Sequence, residues 1–261
     1  MDMNAIVGTC DIALIVLDAL RYDVAVEELA AGRTPDLAAR IGSWDKRHSP
    51  GTFTYSAHTA FFAGFLPTPA KPGRHPRPFA LAFDGSETIG PETCVLEGAS
   101  IVEGLAARGY HTLCVGGVGF FNLKNPLGNA LPGLFAERHW DRSTGVTDPH
   151  TFENQIAIVE RSLAVLPAER LAFTFVNVAA LHQPNHFYPP GGPERDTVAS
   201  HAAALRYVDA HLPRLFAALS RRPLFAIITS DHGTLYGEDG YVGHRVAHPI
   251  VTTVPYAEVM S

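Results

Sequence analysis

Residues 12–17, IALIVL, closed by Asp18, are the stretch on which the fold turns. Six apolar residues in unbroken succession do not alternate as a half-exposed strand would. They fit a strand buried on both faces of a parallel sheet. Three further runs share this character: HTLCVGGV (111–118), LAFTFVNVA (171–179) and LFAIIT (224–229). A fifth, IVTTVPY (250–256), is expected at the sheet edge, because Pro255 cannot donate to a ladder. Between the runs lie stretches of helical spacing. TPDLAARI offers Thr34 as N-cap and Pro35 at the first helical position, and VLEGASIVEGLAARG ends on Gly109. FENQIAIVERSLAVL and SHAAALRYVDAHLPRLFAAL follow, the latter with Pro213 inside it. Strand and helix in alternation predict an α/β fold: a doubly wound, mostly parallel central sheet with helices on both faces. One domain over residues 1–261 is expected. Residues 66–92, rich in Pro, Gly and Arg, read as a long surface excursion of the kind that forms a lid.

Composition narrows the function. With 46% hydrophobic and 18% charged residues, the 261-residue chain has the makings of a sizeable core. A formal charge of −6 gives no electrostatic footprint for nucleic acid. Small anionic substrates remain compatible, since a bound metal can outweigh the global field. Cys10, Cys94 and Cys114 are scattered and odd in number, which argues against a disulfide framework. The first apolar run is interrupted by Asp11, closed by Asp18 and preceded by no basic segment, so it reads neither as a leader nor as a membrane span. These features predict a cytoplasmic protein of a reducing compartment, without a membrane partner.

In open α/β sheets, ligands sit at the carboxyl ends of the strands. That rule selects Asp18 after the first strand, Asn177 and His182 at the third, and Asp231 with His232 after the fourth. Carboxylate and imidazole from three strand ends on one rim make a metal site. The stretch TSDHGTLYGEDGYVGHR (229–245) adds Gly233, Gly237, Gly240 and Gly243, which should fold the chain back so that His244 faces the rim.

The segments ALIVLDALRYD, GTFTYSAHTAFFAGFLP, FVNVAALHQPNHFYPP and PLFAIITSDHGTLYGEDG together resemble the landmarks of the alkaline phosphatase superfamily. The nearest branch is that of sulfatases, phosphonate monoester hydrolases and phosphoethanolamine or lipoteichoic-acid transferases, and the resemblance runs from about residue 11 to 256. It implies an alkaline-phosphatase-like three-layer sandwich in a minimal version. It also implies that Asp18 is the first metal-binding acid and that Asp231 and His232 are the acid and ligand of a D-H/N-G motif. Thr54, ten residues before Gly64 of GFLP, takes the place of the nucleophile, with Ser56 and Thr52 as alternatives. His182 of HQP matches a histidine that contacts the anionic group. His244 matches a histidine that binds metal or substrate. His248, His186 and His58 are weaker candidates, and Arg21 and Asp23 brace the Asp18 turn.

Departures refine this reading. The sulfatase C-x-P-S-R is here T-Y-S-A-H, with no cysteine to convert to formylglycine, and GKWH is replaced by VGGVGF at 115–120. The D-x-x-x-H pair that completes a second metal site elsewhere is absent, so a second ion would lean on His182, His244 and His248. The smaller C-terminal subdomain of sulfatases is expected to be missing. The set Asp18, Thr54, Asp231, His232 and His244 supplies oxygen and nitrogen donors suited to one Zn²⁺ or Mn²⁺ ion. His182, His244, His248 and Asn177 are the expected substrate contacts, and Thr54 and His182 the catalytic pair. A bound cation lowers the pKa of a coordinated water from about 15.7 to about 7 and favours a hydroxyl nucleophile in the same way. The predicted function is therefore metal-dependent hydrolysis of a small anionic phosphate or phosphonate mono- or diester through a phospho-threonine. Group transfer or mutase chemistry on the same intermediate, and a non-catalytic metal-holding module, are the alternatives.

Overall fold

A computed structural model describes residues 2–63, 100–192 and 194–261, together with the backbone of Phe79–Ala80 and Cys94–Val95. Apart from Phe79–Ala80, the excursion expected at 66–92 lies outside the described residues, as does Gly64. The central sheet is built from β1 (Asp11–Leu17), β2 (Asp45–His48), β3 (His111–Val115), β4 (Glu137–His139), β5 (Ala172–Val178), β6 (Leu224–Thr229) and β7 (Thr253–Met260). Their spatial order is β2-β7-β6-β1-β5-β3-β4. All pairs from β6 to β4 are parallel, and β7 runs antiparallel to both of its neighbours.

The unbroken apolar runs have the predicted cause. In β1, Ala13, Ile15 and Leu17 point into one core, while Ile12 and Val16 point into another. The first core is closed by α1 (Tyr22–Ala30), α2 (Pro35–Ile41), α5 (Thr151–Ala164) and α6 (Val198–Leu219), through residues such as Val24, Leu37, Ile156 and Leu212. The second is closed by α3 (Thr54–Ala63) and α4 (Ile101–Ala107), through Tyr55, Phe62, Val102 and Leu105. A mostly parallel sheet sandwiched between helices is the expected architecture.

Two expectations need correction. The last strand starts at Thr253 and is not an edge, because β2 covers its outer side. Pro255 is tolerated there because its carbonyl, and hence its missing N–H, points toward β6 just past the last pair, Tyr256 with Thr229; that carbonyl accepts from Ser230 N at 3.3 Å. The edge is instead β2, four exposed residues whose polar sequence DKRH gave no strand signal. At α2, Thr34 holds the N-cap position without using its hydroxyl. The cap comes from α6: the Asp209 carboxylate accepts from Asp36 N at 3.2 Å and Leu37 N at 2.7 Å. Asp209→Ala should therefore lower stability by about 1–3 kcal/mol in denaturant unfolding, since two helix donors lose a buried acceptor. A change within about 0.3 kcal/mol would contradict this cap.

Candidate metal centre and active site

β1 and β6 lie side by side in parallel, so their carboxyl ends deliver Asp18 and Asp231 to the same place. Both are fully buried, as is His232. Each carboxylate is held by one oxygen. Asp18 Oδ2 accepts from Asn177 Nδ2 at 2.8 Å. Asp231 Oδ1 accepts from Ala19 N and His232 N, each at 3.0 Å. Ala19 adopts φ +67° to present that N–H, a left-handed conformation that costs a non-glycine residue about 1–2 kcal/mol. The other oxygens, Asp18 Oδ1 and Asp231 Oδ2, are buried without a hydrogen-bond partner.

His232 completes the set. Its Nδ1 lies 2.9 Å from Gly233 O; a carbonyl only accepts, so Nδ1 carries the proton and Nε2 presents a lone pair. That lone pair lies 3.3 Å from Asp231 Oδ2 and 4.0 Å from Asp18 Oδ1. Thr54, the first residue of α3, places Oγ1 at 3.4 Å from both Asp18 Oδ2 and His232 Nε2. Burial raises the Asp18 pKa, with the charge of Asp231 adding to the effect. Burial also raises Asp231 to about 6 and depresses His232 to about 4. Lone pairs facing one another, with two orphaned carboxylate oxygens, fit a divalent cation bound by Asp18, Asp231 and His232 with Thr54 beside it.

Beside the carboxylates, Gly51 and Gly233 are required by close approach. A Cβ on Gly233 would meet Ile250 O at 2.0 Å, and one on Gly51 would meet Ser56 Oγ at 2.3 Å and Ala57 N at 2.5 Å. Gly51 thereby lets the 49–53 loop lie over the start of α3, where Ser49 Oγ donates to Asp231 O. Beyond Gly233 the chain does turn back. The His244 ring stacks on His232 with centroids 4.4 Å apart and meets His182 edge-on at 5.4 Å. His182 repeats the device of His232: its Nδ1 donates to Gln183 O at 2.6 Å, leaving Nε2 available. His182, His244 and Thr54 share a cleft of about 420 Å³.

Other candidates are placed elsewhere. Asn177 was expected to touch substrate, but both polar ends of its side chain are spent: Nδ2 on Asp18, and Oδ1 accepting from Val118 N at 3.0 Å. It braces Asp18. His248 was also expected at substrate. Its Nδ1 accepts from Ile250 N at 3.1 Å, capping a short helix, and Nε2 bonds Asp239 Oδ2 at 3.0 Å. His58 is buried behind Thr54, with Nδ1 donating to Thr54 O at 2.8 Å and lying 3.7 Å from Asp231 Oδ2. His186 pairs with Asp196 at 3.4 Å, away from this cluster. Arg21 ties the Asp18 turn to the returning loop by bonding Asp23 and Glu238. Ser56 Oγ donates to Phe53 O at 3.1 Å, and Thr52 is buried. Arg245 was not singled out in the sequence, yet it lines the cleft with Thr54. The only signal was its position next to His244.

A sandwich of this topology with carboxylate and imidazole at its strand ends defines an enzyme of the alkaline phosphatase superfamily, whose members bind divalent metal. The chain belongs to the sulfatase family, whose profile matches residues 11–256. Membership gives the reaction class coarsely: an enzyme acting on phosphate or sulfate esters. The fold is similar to the C-terminal periplasmic domain of phosphoethanolamine transferase EptC from Campylobacter jejuni, with TM-score 0.66 and 15% identity, covering 97% of this chain and 80% of that one. It is also similar to the soluble domain of lipooligosaccharide phosphoethanolamine transferase A from Neisseria meningitidis, with TM-score 0.64, 17% identity and coverages of 97% and 78%. A third, the periplasmic domain of EptC from Escherichia coli in complex with Zn, gives TM-score 0.61, 12% identity and coverages of 97% and 73%. No curated protein matches the sequence.

These likenesses overturn the expectation of a cytoplasmic protein, because two of the three similar structures are periplasmic domains. The scattered cysteines bore on disulfides and carried no information about compartment; Cys10 and Cys114 are buried free thiols. Among the described residues, no helix is long and apolar enough to cross a membrane.

The site has a pH signature. Without metal, Asp231 holds a proton up to about pH 6, while His232 is neutral above about pH 4. Metal binding must expel the carboxylate proton, so affinity should fall as pH drops below about 6. Calorimetric titration of the metal-free protein with zinc should show net proton release and weaker binding at pH 5.5 than at pH 7.5. Equal affinity at both pH values would contradict the assignment of Asp231.

Proposed function

We propose that the protein is a metal-dependent phosphoric ester hydrolase acting through a covalent phospho-threonine on Thr54. The observation that carries this reading is the placement of Thr54 Oγ1, buried and 3.4 Å from both Asp18 Oδ2 and His232 Nε2, at the wall of the cleft. Asp18, Asp231, His232 and Thr54 would hold Zn²⁺ or Mn²⁺. A cation bound there would lower the pKa of the threonine hydroxyl and neutralise charge building on the transferred group. Thr54 Oγ1 forms a bond to phosphorus as the ester P–O bond breaks. His182, with its proton-bearing Nδ1 fixed on Gln183 O, takes up the hydroxyl proton at Nε2 and passes it to the departing ester oxygen. In the second step Nε2 takes a proton from the attacking water and returns it to Thr54 Oγ1 as the phospho-threonine bond breaks. His244, stacked on His232, flanks the same group.

A second reading, transfer of the group from Thr54 to an acceptor alcohol, is supported by the likeness to phosphoethanolamine transferases. Chemistry up to the phospho-threonine is common to both, and the resolving nucleophile separates them. An extracytoplasmic setting accompanies either, by analogy with the periplasmic neighbours.

Thr54→Ala should lower turnover of p-nitrophenyl phosphate by about 10³-fold or more, because the covalent route loses its attacking atom. Thr54→Ser should retain part of the activity. Ser56→Ala should stay close to wild type, since Ser56 Oγ is committed to Phe53 O. Near wild-type turnover in Thr54→Ala would overturn the phospho-threonine.

A further inference from the structure

The cleft beside Thr54 is lined by residues of two unlike kinds. Thr54, His182, His244 and Arg245 are polar or charged. The rest of the lining is mostly apolar: Val118, Phe120, Leu127 and Val146. Asn122 and Asn125 complete it, and each spends its side-chain oxygen on a backbone N–H, that of Lys124 at 2.9 Å and Gly128 at 2.7 Å. Among the described residues lining this cleft there is no carboxylate.

Arg245 is fixed at the cleft by its backbone. Its N–H donates to Thr52 O at 2.7 Å and its φ is +72°. The guanidinium carbon lies 5.9 Å from the centre of the Phe53 ring, which directly precedes Thr54. Among the described residues, Arg21, Arg33, Arg206 and Arg214 each pair with Asp or Glu, and no carboxylate forms an ion pair with Arg245. A guanidinium near a ring beside Thr54, without a carboxylate partner among the described residues, suits an oxygen of a bound anion.

We propose that the cleft selects an ester that is anionic at the phosphoryl group and apolar, alkyl or aryl, in its alcohol. Arg245 engages an oxygen of the transferred group, and the alcohol lies along Val118, Phe120, Leu127 and Val146. This rests on the reading that the phosphoryl group sits beside Thr54. An aminoalkyl alcohol is disfavoured there. Its ammonium would leave water for a largely apolar lining that also carries the Arg245 charge, with no acid among the described lining residues to pair with. The substrate class therefore differs from the phosphoethanolamine for which those transferases are named.

Phosphonates test this without turnover, since they have no ester oxygen to expel. Calorimetric titration of the zinc-loaded protein should show benzylphosphonate binding at least about tenfold more tightly than 2-aminoethylphosphonate. Arg245→Ala should weaken both by a similar factor of about ten or more, with Arg245→Lys intermediate. Leu127→Asp should reduce or reverse the preference by supplying the missing acid. Val146→Asp serves the same purpose from another position should Leu127→Asp fail to fold. Equal or tighter binding of 2-aminoethylphosphonate, an unchanged ratio in the folded Asp variant, or no binding of either phosphonate would overturn the proposal. Turnover of p-nitrophenyl phosphate separates the two readings. Its absence alongside a tenfold benzyl preference removes the hydrolase and keeps the cleft assignment, whereas its presence without the preference removes the cleft assignment alone.

Discussion

Asp18 and Asp231 are carried by adjacent parallel strands to one buried point, and two carboxylates cannot share such a point as anions without compensation. The protein around them supplies only part of it. Asn177, Ala19 N and His232 N each satisfy one side of a carboxylate, while the facing oxygens have no donor. His232 cannot help, because its proton is committed to Gly233 O. Most other features near the rim serve this arrangement: the left-handed Ala19, the glycines at 51 and 233, and the Arg21 tie between the Asp18 turn and the returning loop. A cation held there would convert the same geometry from a source of repulsion into a place where negative charge on a reacting ester is stabilised.

The sequence made the candidate ligands legible because their positions follow from topology. Asp18 and Asp231 close apolar runs, and in a parallel sheet run ends are where chemistry collects. Asn177 and His248 were placed wrongly for a different reason. Both lie near the rim in sequence, but whether a polar side chain faces a cleft depends on what else bonds it. Val118 N and Ile250 N come from other parts of the fold or from a cap that no motif announces. The short strands Asp45–His48 and Glu137–His139 were invisible to apolar patterning because they are polar and sit at the sheet edges. Arg245 escaped because an arginine beside a histidine has no signature until the cleft exists.

The likeness to transferase domains and the details of this site bear on different questions. Fold and family give the reaction class, an enzyme acting on phosphate or sulfate esters. In the proposed reading, the chain's own lining residues set which alcohol departs. Replacement of the sulfatase cysteine motif by TYSAH makes Thr54 the candidate attacking group. The apolar residues lining the cleft with Arg245 would then narrow what can be attacked.

The central claim is that Asp18, Asp231 and His232 bind one catalytic cation beside Thr54. Diffraction from crystals of the zinc-loaded protein, recorded on both sides of the zinc absorption edge, tests it directly. The account requires an anomalous peak enclosed by Asp18, Asp231 and His232 and adjoining Thr54 Oγ1. A peak held elsewhere, with nothing between the two buried carboxylates, would contradict it.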